Sequence, residues 1–346
     1  MNSNWQEFLI SQGAGLGAEG YMTFPEYEAQ TFDEEQVYAC DLSNLGLIRV
    51  SGEDAFSFLH GQFTNDLNIV NADTSQLSSY CNAKGRMLAI FRIFKRDDDY
   101  FLLLRRDVIE VVLNKLNMFK LMAKVELTDI SNEIVIFGIA GPNTDSLLDE
   151  NGIQAPINLD QVITKENTTA IKITSQHSRA LIVTSFNEAK VIWNSIINQS
   201  VQMSYHFWEL IDIKNGIPTV TAETIETFIP QMVNLELIGG VNFQKGCYPG
   251  QEIVARTHYL GKPNRRMYRI QFECNECPAP GTNIFSKANS EQPVGKIVSA
   301  QKANSKHCET LTVLRTEKEL ANDLHLEAYP NSIANIKSLP YGLDAN

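Results

Sequence analysis

Short apolar runs of two periods alternate along the first two thirds of the chain. Gly46-Leu-Ile-Arg-Val50 is a compact β-type run, and Ser51-Gly-Glu-Asp54 behind it offers a helix N-cap with acids in the first turn, where the helix dipole favours them. Ala55, Phe56 and Leu59 follow at helical spacing, which predicts a helix with one apolar face. Tyr80-Cys-Asn-Ala-Lys-Gly85 reads as a turn and Arg86 to Phe94 as a buried strand. Asp97-Asp98-Asp99 makes a polar hairpin tip before the strand Tyr100–Leu104. Helical periodicity returns from Asp107 to Lys120, with Val108, Val111, Val112, Leu116 and Phe119 as its apolar stripe. Strands are predicted at 133–140 and 180–185, and helices at 187–198 and Tyr205–Lys214, the last stopped by Asn215-Gly-Ile-Pro218. A polar stretch near 150–168 divides two subdomains.

Beyond residue 265 the pattern changes. Met267–Phe272, Lys296–Ala300 and Thr310–Leu314 are short β-type runs separated by Pro, Gly and polar turns, which predicts a small all-β barrel or sandwich. Strands and helices mixed in this order indicate α+β layers more than a doubly wound sheet. A length of 346 residues agrees with two or three domains.

Composition narrows the function classes. The 29 basic and 41 acidic residues give a net charge of −12, which argues against a broad nucleic-acid footprint. Hydrophobic residues at 43% and charged ones at 20% describe a globular chain able to bury a sizeable core. The start lacks the basic and apolar regions of a secretory signal, and no apolar run reaches membrane-spanning length. Six cysteines at irregular spacing do not read as a disulfide framework. A reducing cytoplasm is the simplest home.

The most informative stretch is Asn242-Phe-Gln-Lys-Gly-Cys-Tyr-Pro-Gly-Gln-Glu252, followed by Ile-Val-Ala-Arg256. Two glycines and a proline around a cysteine indicate a tight loop, and Gln251 to Arg256 opens a short helix after Gly250. A thiol near a helix N-terminus and close to Lys245 is biased toward thiolate, hence nucleophilic or metal-binding. The plainer alternative is a buried cysteine whose glycines serve the turn. Two basic islands stand out in the acidic chain: Lys245, Arg256, Lys262, Arg265, Arg266 and Arg269, and an earlier one of Lys84, Arg86, Arg92, Lys95, Arg96, Arg105 and Arg106. They read equally as a site for a small anion or as solvated faces balanced by acids elsewhere.

Lys245-Gly-Cys-Tyr-Pro-Gly-Gln-Glu252 resembles the signature K-G-C-Y-x-G-Q-E of the folate-binding YgfZ family, relatives of the glycine-cleavage T-protein, an aminomethyltransferase. Phe228-Ile-Pro-Gln231, Asn234-Leu235 and Gly239-Gly240 keep the family's order and spacing. So do Val50–Ala55, Gly61-Gln62, Thr64-Asn-Asp66, Cys81–Arg86 and Leu339-Pro-Tyr341. The resemblance implies a T-protein-like folate-binding fold: α+β subdomains over residues 1–240 around a central channel, a signature loop and linker at 241–264, and a C-terminal β-barrel at 265–346. It implies tetrahydrofolate or another reduced folate as cofactor, and a role in the upkeep of iron–sulfur enzymes, including a radical tRNA-modifying enzyme. The tRNA effect would then be indirect, with no nucleic acid or membrane bound.

Carried over residue by residue, Cys247 is the functional thiol, with Lys245 beside it. Gly246, Tyr248, Gly250, Gln251, Glu252 and Arg256 are expected around the folate, with Trp208 stacking on a flat ring. A core role for Trp208 is the competing reading. Leu45 stands near where the family has a second aromatic, and Arg105-Arg106 follows Leu104 where the T-protein's catalytic aspartate context is not found. Aminomethyl transfer is therefore not expected. A folate-dependent one-carbon transferase or demethylase is the alternative activity, and a noncatalytic scaffold for an iron–sulfur protein a third.

Fainter signals remain. Cys274-Asn-Glu-Cys277 is a lone C-x-x-C that Cys308 and His307 could complete as a zinc set, but it reads better as a strand-to-turn junction, and no metal is expected. His60 and His258 read as hydrogen-bonded histidines outside the catalytic set. No Gly-rich phosphate loop occurs.

Overall fold

The computed structural model describes residues 1–24, 33, 35–259, 263–287, 291–315 and 324–343. They fall into two compact units, each assembled from separate stretches of chain. The first takes 1–58, 67–76 and 91–208, and the second 59–66, 77–90 and 209–346.

A six-stranded sheet organises the first unit, in the order Val162–Lys165, Thr168–Lys172, Arg179–Thr184, Val135–Ala140, Tyr38–Asp41 and Val201–Met203. Its last pair is parallel and the rest antiparallel. Val135–Ala140 and Arg179–Thr184 are buried along their whole length. Phe137 and Ile139 face a core built with Trp5, Phe8, Leu148, Trp193 and Ile196 from the helices Ser3–Ser11, Thr144–Glu150 and Phe186–Ile196. Trp5 meets Trp193 edge to face at 5.3 Å, and its indole N–H donates to Asp41 Oδ1 at 2.8 Å. Asp41 is wholly buried, and desolvation pushes its carboxyl up to about 6.

Side chains alternate across a strand, so Gly138 faces away from that core. There its bare Cα receives the ring of Trp208 from the helix Tyr205–Lys214. Also in this unit, Phe91–Arg96, Asp99–Arg105, Leu45–Ser51 and Glu126–Asp129 pair antiparallel in that order, with Asp97 at the hairpin tip in the left-handed region. The stretch 150–168 contains the edge strand Val162–Lys165.

The second unit carries a curled, half-barrel antiparallel sheet in the order Leu324–Leu326, Asn283–Ser286, Gly295–Lys302, His307–Arg315, Arg265–Glu273 and Ala334–Lys337. Ile270, Phe272, Ile284, Ile297, Leu314 and Leu326 form its core. Phe272 stands opposite Cys308, and the chain leaving that strand brings Cys277 to a Cα–Cα distance of 5.5 Å from Cys308, to which it is disulfide-bonded. The cysteine spacing alone concealed this bridge, because two cysteines 31 residues apart meet only through strand register. Cys40, Cys81, Cys247 and Cys274 are free.

Two apolar stripes also differ from the periodicity reading. In the helix Ala55–His60 it is Phe58 that turns inward with Ala55 and Leu59, while Phe56 is exposed. In Ile109–Lys120 the buried face is Ile109, Val112 and Leu116, with Val111 and Phe119 outside. Among the described residues, no helix is long and apolar enough to cross a membrane.

Gly138 generates a sharp expectation. A Cβ there would lie 2.3 to 2.7 Å from three ring atoms of Trp208. Gly138→Ala should destabilise the protein by about 1–3 kcal/mol through overpacking. A urea midpoint equal to that of wild type would show that the ring can move aside.

Candidate functional site

The signature loop starts from a side-chain-capped turn. Asn242 Oδ1 accepts the backbone N–H groups of Gln244 and Lys245 at 2.8 and 3.0 Å. Lys245 then turns inward. Its ammonium donates to the carbonyl of His60, the last residue of the helix Ala55–His60, and to that of Phe63 at 2.6 Å. The His60 carbonyl is at the C-terminal end of the helix, where the dipole favours a cation. The ring of Tyr248 lies 5.1 Å beneath the same ammonium. Burial lowers the Lys245 pKa to about 8, and the carboxylate of Asp66 and the Cys247 thiol pull weakly the other way.

Motifs remote in sequence close around this loop within the second unit. Asn65 Nδ2 donates to the carbonyls of Leu77 and Gly239, at 2.8 and 2.6 Å. Thr64 Oγ1 donates to Gly240 at 2.9 Å, and the Asn242 N–H to the Thr64 carbonyl at 3.0 Å. Asn82 Oδ1 holds its own turn through the N–H groups of Lys84 and Arg86, and Asn82 Nδ2 donates to Glu226 at 2.8 Å. Arg86 donates to the Thr227 carbonyl. Gly250 has φ +80° and sits against Asn82 and Gly85 so closely that a Cβ would fall 2.4 to 2.6 Å from their backbone atoms. After it, the helix Gln251–Tyr259 runs as expected. Gln231 ties it down by donating to the Val254 carbonyl at 2.6 Å. At the far end of the chain, Tyr341 donates to the Gly216 carbonyl at 2.7 Å, so the Asn215–Pro218 turn and the Leu339–Tyr341 segment also meet.

Cys247 is exposed on this framework, whereas the other three free cysteines are buried. Gly246, Glu252 and Arg256 are exposed beside it, Gln251 is half-buried, and Tyr248 is buried. The hydroxyl of Tyr248 finds no partner among the described residues, and neither do the Tyr80 hydroxyl, Gln62 Oε1 and Glu236 Oε2. Desolvation raises both phenols, Tyr80 to about 12. Two groups outside the predicted set stand at the loop: His60 and Asp66, with Nδ1 3.7 Å from Oδ1. The Thr64-Asn-Asp66 run was their available sequence signal.

Trp208 belongs to the first unit, and every other predicted site residue to the second. It is 4% exposed, with the Arg179 guanidinium 4.5 Å over its ring and Gly138 against its edge. The basic islands are largely neutralised. Arg92 pairs with Asp160, Arg105 with Asp107, Arg266 with Glu236 and Arg269 with Glu309. Arg96 donates to Thr169, and Arg106 to Ser43, Ser131 and Asn132. Lys262 lies outside the described residues.

Cys277 is committed to its disulfide, and Cys274 contacts the Phe272 carbonyl. Among the described residues, no group of three or more His, Cys, Asp or Glu side chains is placed to hold a metal. His258 stacks on Phe243 at 3.8 Å. A cavity of about 350 Å³ lies in the first unit among Ile153, Ile163, Lys165, Glu188 and Val191, and holds none of the predicted residues.

Residues 22–186 match the model of the GCVT N-terminal domain. The chain is similar in structure to the glycine cleavage system aminomethyltransferase T of Bartonella henselae, with a TM-score of 0.77 at 13% identity, covering 97% of this chain and 96% of that one. It is 30% identical to the tRNA-modifying protein YgfZ of Colwellia psychrerythraea over 90% of this chain and 95% of the relative. To the protein of that name from Photobacterium profundum it is 32% identical, over 88% and 91%. The chain belongs to the YgfZ family. Its fold is that of the T-protein. The YgfZ signature, read on this structure, is a lysine-capped loop that presents one thiol outward.

The cap can be tested by pH. The folded pKa of Lys245 lies below the ordinary 10.5, so the unfolded chain still holds this proton at pH values where the folded chain has lost it. Lys245 therefore costs stability below about pH 8, and the cost fades as pH rises from 8 to 10.5. Relative to Lys245→Met, wild type should gain up to about 3 kcal/mol across that window in urea unfolding. A pH-independent difference would place the charge in a better-solvated setting. Separately, Gly250→Ala should lower the melting temperature by several degrees, since the added Cβ strikes backbone that cannot rotate away.

Proposed function

We propose that this chain binds a reduced folate, tetrahydrofolate being the first candidate, and supports the synthesis or repair of iron–sulfur enzymes through Cys247. Its effect on tRNA modification then runs through an iron–sulfur client, such as a radical tRNA-modifying enzyme, in the cytoplasm. The observation that carries the reading is the signature loop itself: one exposed thiol held on a scaffold of buried, mutually hydrogen-bonded motif residues. A structural cysteine would be expected inside, as Cys40, Cys81 and Cys274 are.

The chemistry of the second unit suits a pteridine. Buried acceptors at Gln62 Oε1 and Glu236 Oε2, and hydroxyls at Tyr80 and Tyr248, are complementary to a flat ligand rich in N–H donors and carbonyls. When bound, a reduced folate supplies a one-carbon carrier or a redox-active ring. Part of the Trp208 ring surface is already occupied by Arg179 and Gly138. Gly246, Tyr248, Gly250, Gln251, Glu252 and Arg256 are the expected surroundings of the ligand.

One-carbon transfer by a T-protein-like mechanism is the weaker reading. Arg105 and Arg106 stand where a catalytic carboxylate would be sought, and Asp107 is engaged by Arg105. The acidic net charge of −12 speaks against direct tRNA binding.

Two measurements separate the halves of the proposal. Titration with tetrahydrofolate, followed by tryptophan fluorescence and calorimetry, should give saturable binding that weakens about ten-fold in Trp208→Ala. Absence of saturation in both proteins would remove the folate. Cys247→Ser should keep the wild-type unfolding transition yet abolish rescue of an iron–sulfur enzyme defect in cells. Full rescue would remove the thiol from the function.

A further inference from the structure

We propose that His60, oriented by Asp66, accepts the thiol proton of Cys247, making the signature cysteine one arm of a Cys–His–Asp relay. The inference rests on the reading of Cys247 as the functional thiol and adds to it the group that activates it.

All the residues concerned belong to the second unit. His60 ends the helix Ala55–His60, and Asp66 follows six residues later at the end of the Thr64-Asn-Asp66 run. The backbone on both sides is fixed. Lys245 holds the carbonyls of His60 and Phe63, and the side chains of Thr64 and Asn65 are bound to Gly240 and Gly239. The imidazole therefore projects from a pinned segment toward a pinned loop.

Its two nitrogens face different groups. Nδ1 lies 3.7 Å from Asp66 Oδ1, an ion-pair distance longer than a hydrogen bond, so Asp66 acts on the ring through its charge. A Cβ built on Gly246 would lie 3.9 Å from Nε2. Gly246 immediately precedes Cys247, so Nε2 is directed at the stretch of loop that carries the thiol. Gly246 is not in the left-handed region, so its backbone conformation does not demand glycine. A side chain there would project toward Nε2.

The electrostatics suit a base. A proton acceptor near neutral pH must be neutral before it acts. Burial and the Lys245 ammonium both favour the neutral imidazole, against the pull of Asp66. Among the described residues, Lys245 and Asp66 are the charged groups that act on the imidazole. In the step, the S–H bond of Cys247 breaks and an N–H bond forms at His60 Nε2, leaving a thiolate and an imidazolium. Asp66 then stabilises the imidazolium and Lys245 the thiolate, both of which interact electrostatically with these partners.

Alkylation kinetics read this without any assay of cellular function. Because Cys247 is the exposed free cysteine and the other three are buried, iodoacetamide should modify it selectively in the native protein, with peptide mass spectrometry confirming the site. Rates would be followed from pH 5 to 10 in wild type, His60→Gln and Asp66→Asn, with circular dichroism and a thermal transition recorded for each. In His60→Gln the inflection should move up by about one pH unit, which slows alkylation about ten-fold at pH 7. Asp66→Asn should shift it in the same direction by less, and all three rates should converge by pH 10. Profiles that superimpose, or a faster reaction in His60→Gln, would overturn the proposal. Should His60→Gln fail to show a folded transition, Asp66→Asn decides alone, by a shift or by superposition. A shifted profile with full cellular rescue by Cys247→Ser would leave the relay standing and remove the function assigned to it.

Discussion

Lys245 ties the signature loop to an early segment of the second unit, at the cost of burying its charge. Its ammonium is bound by the carbonyls of His60, the last residue of the helix Ala55–His60, and of Phe63, three residues on. That contact fixes the signature loop to a segment some 180 positions earlier in sequence. Once the lysine is in place, the next two residues have little freedom. Asn242 holds the turn on one side, and on the other Gly250 is pressed against Asn82 and Gly85. The thiol between them is presented outward because its neighbours are tied inward.

The same logic governs the other motif residues. Most of them hold backbone. Asn65 and Thr64 bind the carbonyls of Gly239 and Gly240, Asn234 pairs its amide with Met267 of the neighbouring strand, and Gln231 binds the helix that follows the loop. The amides of Asn65 and Asn234 have both ends satisfied and act as rivets, and replacing either leaves a donor and an acceptor without their partner. The signature is therefore mostly scaffold around a small reactive surface. The arginines tell a parallel story. Those that looked like an anion site in sequence are bound to Asp160, Asp107, Glu236 and Glu309, which lie 2 to 68 positions away in the chain.

Much of the fold was legible beforehand. The strand Gly46–Val50, the hairpin about Asp97–Asp99, the helices near 187–198 and 205–214 and the three C-terminal strands are all present, with ends displaced by a few residues. These elements announce themselves because their hydrophobic period is local. Phe56 and Phe119 were misplaced on their helices because an apolar residue at a boundary of the stripe can face either way, and only the neighbour decides. The short edge strands Val201–Met203 and Ala334–Lys337 carry too few residues for a period, and they exist through pairing with Tyr38–Asp41 and Arg265–Glu273.

By itself, the sequence determined the element types, the family signature with its thiol and glycines, and the net charge of −12 that weighs against a polyanion partner. Each of these follows from composition or from residues close together in the chain. Only the tertiary structure decided what long-range contact decides. It set Lys245 on the carbonyl at a helix end, put His60 and Asp66 beside the cysteine loop, joined Cys277 to Cys308, and paired Arg92, Arg266 and Arg269 with distant acids. A charge, a thiol or an imidazole has no fixed role until its partner is known, because its energy depends on burial and on groups within a few ångströms. Those groups are brought near by the folding of the backbone, across separations that no local pattern records.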